Sequence, residues 1–221
     1  MKLTIIHTTK ATLEPLEALV HRLLPGTELT HMLDDSMLRD MVAGHHTDDV
    51  RQRWLAYARI ARDCQADVIL SACSTVGEVA EEANEMLDIP VLRIDSAMAK
   101  AAVHTGGTIA VLATLPTTLE PTRRLIERTA AAQGVTCQII PVLIDGAYDA
   151  LMAGNPKLHD SKITKAIGDS LEHSDTVVLA QASMARAATG FSSEALARIL
   201  TSPQSGIAQL KELTATHDAK H

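Results

Sequence analysis

Cys73 is the side chain of this sequence whose type and position most favour chemistry. The tripeptide Cys73-Ser74-Thr75 directly follows the apolar run 67–72 and precedes a helical pattern. A thiol between a buried strand and a helix lies near the positive end of the helix dipole, which favours the reactive thiolate form. Thr75 and Glu78, three positions apart, predict a capping box at the start of that helix. The alternative is that Cys73 is a small buried residue without reactivity, as many free cysteines are.

The other two cysteines are predicted to be structural. Cys64 closes an apolar helix face, and Cys137 lies inside a strand pattern. The three cysteines form no CxxC pair, so they predict reduced thiols in a cytoplasmic protein and no zinc cluster. His45 and His46 stand in a glycine-rich turn without a partner at metal-ligand spacing. We therefore expect no catalytic metal.

His7 is a second candidate for proton transfer. It ends the first strand pattern, which is expected to be central in its sheet. It is either a general acid or base near Cys73 or a hydrogen-bonded histidine without a role in proton transfer. The sequence leaves both possibilities open.

Hydroxyl side chains cluster where predicted strands end and helices begin. They are Thr8, Thr9, Ser74, Thr75, Thr114, Thr117, Thr118 and Ser183. Each is explained as a helix cap, and helix N-termini that converge on one cleft also form a site for a carboxylate. The two interpretations are compatible. No glycine-rich phosphate loop follows a strand, because Gly106-Gly107 precedes one, and nucleotide binding is therefore not expected.

Strand and helix patterns alternate along the chain. The predicted strands are 2–8, 27–33, 67–72, 90–94, 108–113, 136–143, 175–180 and 198–201. Amphipathic helical patterns span 47–64 and 157–173, and a C-terminal helix is predicted at 203–216. Apolar strands alternating with helices indicate an α/β fold with mainly parallel sheets covered by helices on both faces.

An internal repeat predicts two similar lobes. Thr-Leu-Glu-Pro occurs at 12–15 and at 118–121, each time after a strand. Residues 67–75 match 175–183, at nearly the same separation, which pairs Cys73 with Gln181. We interpret this as two pseudo-symmetric α/β lobes, 1–97 plus 201–221 and 98–200, with the active site between them. The alternative is two unrelated strand–helix units with similar turn chemistry.

Composition excludes several classes of function. The formal net charge is −7, aromatic residues make up 2% of the chain, and the basic residues are scattered. These features argue against a nucleic-acid partner. No apolar stretch is long enough to cross a membrane, and the first residues lack a signal-peptide pattern.

Together these segments resemble the aspartate/glutamate/hydantoin racemase family. Cys73-Ser74-Thr75 is similar to its first Cys-Asn/Ser-Thr motif, residues 112–117 to its carboxylate-binding turn, and residues 177–184 to the strand and loop of its second cysteine. The resemblance implies a cofactor-independent enzyme that binds a small carboxylic acid, and it allows a homodimer. It also places Gln181 where the second cysteine is expected, and a carboxamide does not titrate usefully. Arylmalonate decarboxylases, which are similar to this family, keep a single cysteine, but at the second position.

These features favour an enzyme with one thiol. Cys73 would be the acid/base or nucleophile, the hydroxyl residues would hold the carboxylate, and Gln181 would bind a substrate oxygen. A proton donor on one side suits isomerisation, tautomerisation or decarboxylation better than racemisation of an amino acid. The alternative is a non-catalytic carboxylate-binding protein of the same fold.

Overall fold

The fold is α/β, as expected from the sequence. The structure is a computed structural model, and it describes residues 1–44 and 47–213. The strands are β1 Lys2–His7, β2 Glu28–Leu33, β3 Val68–Ser71, β4 Val91–Arg93, β5 Gly107–Ala113, β6 Cys137–Leu143, β7 Thr176–Leu179 and β8 Ile199–Thr201. Each of the eight predicted strands is confirmed.

Helices connect the strands. They are α1 Leu13–Leu23, α2 Ser36–Val42, α3 Thr47–Asp63, α4 Gly77–Met86, α5 Ser96–Thr105, α6 Pro116–Gln133, α7 Ala147–Met152, α8 Pro156–Leu171, α9 Ser193–Leu196 and α10 Ser202–Ala208. Short 3₁₀ segments span Lys10–Thr12, Ser74–Val76 and Ala182–Ala188. The C-terminal helix predicted at 203–216 is present as α10 and a further helical segment at 210–213, and its last residues lie outside the described ones.

The strands form two parallel sheets of four strands each. Their orders are β2-β1-β3-β4 and β6-β5-β7-β8, so β1 and β5 are both central. Both sheets are parallel throughout and are covered on both faces, which explains why their central strands are apolar without alternation.

The chain divides into two compact units. Unit 1 comprises residues 1–94 and the segment from 203 onward, and unit 2 comprises residues 95–202. In unit 1, one face of the sheet packs against α3 and α4, and the other packs against α1 and the C-terminal segment. In unit 2, one face packs against α5 and α6, and the other packs against α8 and the 3₁₀ helix Ala182–Ala188.

The two sheets share their register as well as their strand order. In unit 1, Ile6 pairs with Ser71, and in unit 2, Leu112 pairs with Leu179. The Ala72 N–H donates to the Ile6 carbonyl at 3.0 Å, and the Ala180 N–H donates to the Leu112 carbonyl at 2.9 Å. Equal topology and equal register indicate a duplicated unit rather than two similar turns.

The same side-chain contact occurs in both sheets at the edge where the strands begin. The Asp67 carboxylate accepts from the Lys2 backbone N–H at 2.6 Å, and the Asp175 carboxylate accepts from the Thr108 N–H at 2.7 Å. Gly107 lies beside Asp175 with a φ of +69°, and a Cβ there would lie 2.2 Å from a carboxylate oxygen. Gly107 therefore precedes its strand for a structural reason.

No helix within the described residues is long and apolar enough to cross a membrane.

Candidate active site

Cys73 lies two residues beyond the end of β3, at the carboxyl edge of the sheet of unit 1. Its backbone is still extended, with φ −142° and ψ 120°, before the 3₁₀ turn Ser74–Val76 leads into α4. The side chain is half-buried and packs against the core on the α3 side of the sheet. Strand, thiol and helix therefore follow one another as the sequence predicts.

Thr75 is not the N-cap of α4, contrary to the prediction. Helix α4 begins at Gly77, and its N-cap is Val76. Thr75 lies inside the 3₁₀ turn because the chain makes an extra turn before it enters the α-helix. Ser74 and Thr75 are both buried in this turn.

The two remaining cysteines differ in their surroundings. Cys64 does not close a helix face, because α3 ends at Asp63 and Cys64 is exposed in the turn that follows. Cys137 lies half-buried in β6, as predicted, and burial raises the pKa of its thiol.

Two buried hydroxyl groups accompany Cys73. Thr8 and Ser71 are each 1% exposed, and neither Thr8 Oγ1 nor Ser71 Oγ has a hydrogen-bond partner among the described residues. Ser71 lies two residues before Cys73, and Thr8 lies two residues after Ile6, the register partner of Ser71. Alternate residues of a strand share a face, so both hydroxyls lie on the same face of the sheet as the thiol. Unpartnered buried hydroxyls usually indicate a bound water or ligand atom.

His7 is fully buried and uses both ring nitrogens. Nδ1 lies 2.7 Å from Thr12 Oγ1, whose hydroxyl donates to the Thr9 carbonyl at 3.1 Å. Nδ1 must therefore carry the proton, and Nε2 accepts from Nδ1–H of His31 at 2.9 Å. Burial, with a smaller contribution from His31, lowers the pKa of His7 to about 4. This arrangement favours a structural histidine over a proton-transfer group.

His7 also orders the loop that follows β1. Its contact with Thr12 fixes the 3₁₀ turn Lys10–Thr12, and Thr9 Oγ1 caps this turn by accepting from the Ala11 N–H at 3.3 Å. Thr8 and Thr9 therefore have a defined position even though they lie in a loop.

A buried arginine holds the helix that follows Cys73. The Arg93 side chain is 2% exposed and donates to Glu81, on α4, at 3.0 Å. Its guanidinium covers Gly77, where an added Cβ would lie 2.3 Å from Cζ. Arg93 therefore packs over the first turn of α4 and positions the loop that carries the thiol.

Gln181 occupies the corresponding place in unit 2. Its Oε1 accepts from the Thr114 N–H at 2.7 Å and from the Thr114 hydroxyl at 2.9 Å. Because a backbone N–H can only donate, the atom that faces Thr114 must be the oxygen. The amide orientation is thereby fixed, and the Gln181 NH₂ group is directed away from Thr114.

The start of α6 brings further hydroxyls to the same edge of unit 2. Pro116 begins the helix, a position where its missing N–H costs nothing. Thr117 Oγ1 is buried without a partner among the described residues, and Thr118 is buried in the same first turn. Ser183 is half-buried at the start of the 3₁₀ helix that follows Gln181.

The equal register makes Cys73 and Gln181 equivalent positions, each two residues beyond a paired strand residue, Ser71 and Leu179. Thr8 and Thr114 are equivalent in the same way. Thr114 is fully hydrogen-bonded to the side chain at the partner position, whereas the Thr8 hydroxyl has no partner among the described residues. Unit 1 therefore carries a thiol beside unsatisfied hydroxyls where unit 2 carries a satisfied threonine–glutamine pair.

Comparisons with known proteins agree with this geometry. Residues 3–210 match the family model described as Asp/Glu/Hydantoin racemase. The chain belongs to the Asp/Glu/hydantoin racemase family. A comparison with curated proteins found no match.

Solved racemases share the fold of this racemase-family chain. Allantoin racemase from Klebsiella pneumoniae has a TM-score of 0.70 and 20% identity, covering 98% of this chain and 89% of its own. Glutamate racemase from Francisella tularensis, in complex with D-glutamate, has a TM-score of 0.74 and 13% identity, covering 98% and 82%. Allantoin racemase from Pseudomonas fluorescens has a TM-score of 0.62 and 16% identity, covering 98% and 92%. The family membership indicates a racemase-type enzyme.

The predicted site residues of this racemase-family chain fall into two sets. Unit 1 brings together the N-terminal loop and the Cys73 loop, and unit 2 brings together the α6 start and the Gln181 loop. Within the described residues, no group of three or more histidine, cysteine or acidic side chains could hold a metal ion. His45 and His46 lie outside the described residues.

Sequence reasoning missed Ser71, Arg93 and His31. Ser71 stands in an otherwise apolar strand pattern, and it is the polar residue that shares a face with Cys73. Arg93 and His31 contact the site through neighbouring strands, so no local spacing indicates them.

Proposed function

We propose that this racemase-family protein transfers a proton at the carbon next to the carboxylate or carbonyl of a small carboxylic acid, without a cofactor. Cys73 is the acid/base or nucleophile of this reaction. Isomerase, tautomerase or decarboxylase chemistry fits the chain better than racemisation of an amino acid.

The state of Gln181 is the observation that carries the proposal. Racemisation needs proton transfer on both faces of a planar carbanion. The position equivalent to Cys73 holds a carboxamide whose oxygen is already occupied by Thr114. Its remaining NH₂ group donates hydrogen bonds and cannot accept a proton. Gln181 is therefore suited to binding a substrate oxygen and not to acting as a second base.

The reaction follows from these roles. In an isomerisation, the Cys73 thiolate takes the proton from the α-carbon and becomes a thiol, and the electron pair of the broken C–H bond moves onto the adjacent carbonyl or carboxylate oxygen. The resulting enolate accepts hydrogen bonds from Gln181. The thiol then returns a proton to carbon. In a decarboxylation, carbon dioxide leaves with cleavage of the C–C bond, and the Cys73 S–H protonates the enolate that remains.

Hydroxyl groups hold the carboxylate in this scheme. Thr114, Thr117, Thr118 and Ser183 supply donors in unit 2, and Thr8, Thr9, Ser74 and Thr75 supply them in unit 1. The buried hydroxyls of Thr8 and Thr117 support this role because neither has a hydrogen-bond partner among the described residues, and both can donate to a carboxylate.

Deuterium labelling in heavy water tests the proposal. A panel of small mono- and dicarboxylic acids, including 2-oxo acids and both enantiomers of chiral members, is incubated with the protein and analysed by NMR. We expect incorporation next to the carboxylate, and we expect one enantiomer to label faster than the two interconvert. A positioned proton-transfer group contributes roughly 10²–10⁴-fold in rate, so Cys73→Ala should lose at least that much.

Cys64→Ala is the matched control, because Cys64 is exposed and lies in the turn after α3. It should label at the wild-type rate. Ligand binding without labelling or decarboxylation of any acid would favour the carboxylate-binding protein instead. Rapid and equal interconversion of both enantiomers would contradict the one-sided mechanism.

A further inference from the structure

A buried histidine with one unused ring nitrogen lies in unit 2. His159 is 0% exposed, and Nδ1 lies 2.7 Å from an oxygen of Asp160. A carboxylate can only accept, so Nδ1 carries the proton, and in the neutral ring Nε2 presents a lone pair. Nε2 is buried and has no hydrogen-bond partner among the described residues. This atom is therefore a proton-accepting position whose natural partner is a protic group.

The neighbouring carboxylate is itself fixed. The second oxygen of Asp160 accepts from Nε of Arg186 at 2.7 Å, and Arg186 belongs to the 3₁₀ helix that follows Gln181. Thr164, on α8, also donates to the Ala187 carbonyl at 3.0 Å. These contacts join the first turns of α8 to the loop of Gln181.

The position of His159 on α8 directs it to the candidate site of unit 2. His159, Ile163 and Ile167 recur at helical spacing and are all fully buried. Ile163 shares a core cluster with Leu112 and Leu179. Thr114 and Gln181 each lie two residues beyond these strand residues, on the same face of the sheet. His159 lies one turn before Ile163 on the helix that leads into β7. It therefore faces the carboxyl edge of the sheet, where Thr114 and Gln181 lie.

The duplication provides an internal comparison. Helix α3 precedes β3 as α8 precedes β7, and loops of equal length separate Asp63 from Val68 and Leu171 from Thr176. His159 is therefore equivalent to Arg51, which donates to Glu82 on α4. The helix position that holds an arginine in unit 1 holds a buried histidine in unit 2.

We propose that His159 is the proton-relay residue of unit 2 and that it accepts a proton at Nε2 through one bound water molecule. It exchanges a proton with the substrate oxygen that Gln181 binds, and it is not a second base for carbon. This inference rests on the proposed function for the source of the proton, which is the enol form of the substrate. The enol hydroxyl gives its proton to the water and the water gives one to Nε2, while the oxygen becomes a carbonyl and the electron pair of the carbon–carbon double bond takes the proton of the Cys73 S–H. The imidazolium is balanced by the Asp160 carboxylate, and the reverse transfer restores the neutral ring.

The charged and titratable groups around His159 come from several elements. Asp160 lies on α8 itself, and Arg186 reaches it from the 3₁₀ helix. Helix α7, which also packs against α8, carries Tyr148 and Asp149. Strands β5 and β7 present apolar residues to this face.

NMR of the imidazole nitrogens tests the inference without need of turnover. Long-range ¹⁵N–¹H spectra of the whole protein are recorded between pH 5 and 9 with and without malonate, with His173→Gln as the assignment control. His173 is exposed near the end of α8. We expect His159 to be the Nδ1–H tautomer at neutral pH and its Nε2 resonance to shift when malonate binds. An Nε2–H tautomer would overturn the inference, and so would a resonance that ignores both malonate and pH.

Kinetics give the second readout on any acid that the wild type labels. His159→Gln should lower the labelling rate by about a hundredfold or more, mostly in kcat, and should remove one limb of the pH profile. His173→Gln should match the wild type in rate and profile. Wild-type rate and profile in a folded His159→Gln protein would refute the relay. If the wild type labels nothing, the proposed function fails, and the NMR result alone then decides whether His159 binds a protic group.

Discussion

Acidification should destabilise unit 1 through His7. The ring is buried, and both nitrogens are occupied by Thr12 and His31 in an arrangement that only the neutral ring can form. The folded state keeps His7 neutral down to pH of about 4, whereas an unfolded histidine takes up its proton near pH 6.5. Between these values the unfolded state binds more protons, so the free energy of unfolding falls as the pH falls.

The size of this effect follows from the two pKa values. Each unit of pKa difference corresponds to about 1.4 kcal/mol, so the shift from 6.5 to about 4 contributes about 3 kcal/mol. This stability is fully present above pH 6.5 and is lost progressively between pH 6.5 and pH 4. His31, whose pKa is also lowered by burial, adds to the loss in the same direction. The carboxyl groups of Asp34 and Asp160 have lowered pKa values and therefore act only below this window.

Urea unfolding of the wild type and of His7→Asn at pH 7 and pH 4.5 measures the effect. The variant is less stable at pH 7 because it leaves a hydrogen bond of His31 unmade, but it lacks the titrating ring. We therefore expect the gap between the two proteins to close, or to reverse, as the pH falls. His104→Asn serves as the control because His104 is exposed at the end of α5. An equal gap at both pH values would refute the assignment of a neutral, buried His7.

Three further perturbations test the site. Gly77→Ala should lower the free energy of unfolding by about 1–3 kcal/mol because its Cβ meets the buried Arg93 guanidinium. The control Gly168→Ala lies in open space on α8 and should be neutral or stabilising, so equal effects of the two substitutions in urea unfolding would contradict the packing. Gln181→Leu should cost about 1–3 kcal/mol by leaving the Thr114 N–H without its acceptor, and an unchanged unfolding midpoint would contradict that bond. Gln181→Cys should add proton exchange at the second enantiomer in heavy water, and no gain over the wild type would mean that a thiol at that position is insufficient.

The fold could be predicted because its signals are local. A parallel sheet that is buried on both faces produces continuous apolar strands, and the eight runs stand out from the longer helical patterns between them. The repeat predicts the pairing of Cys73 with Gln181, and the shared register of β1·β3 and β5·β7 agrees with it. The entry into α4 was mispredicted because an added 3₁₀ turn obeys the same residue preferences as a helix cap.

The remaining parts of the site depend on contacts between elements that are distant in sequence. His31 reaches His7 only through the pairing of β1 with β2, and Arg93 reaches Gly77 only through the packing of β4 under α4. The spacing of these residues in the sequence does not predict these contacts. His7 is an example. Its place in the sequence is compatible with a catalytic or a structural histidine, and its contacts with Thr12 and His31 favour the structural role.

Because the two units are duplicates, their equivalent residues can be compared directly. Two units with the same register began with the same backbone positions, so each difference between equivalent residues is a difference in chemistry on a common scaffold. The strand end carries a thiol in unit 1 and glutamine in unit 2, and the preceding helix carries Arg51 in unit 1 and His159 in unit 2. A carboxamide that is satisfied by Thr114 stabilises its loop but cannot exchange protons, whereas a histidine held by Asp160 can. Under the two proposals, Gln181 therefore binds the substrate oxygen and His159 transfers the proton in unit 2.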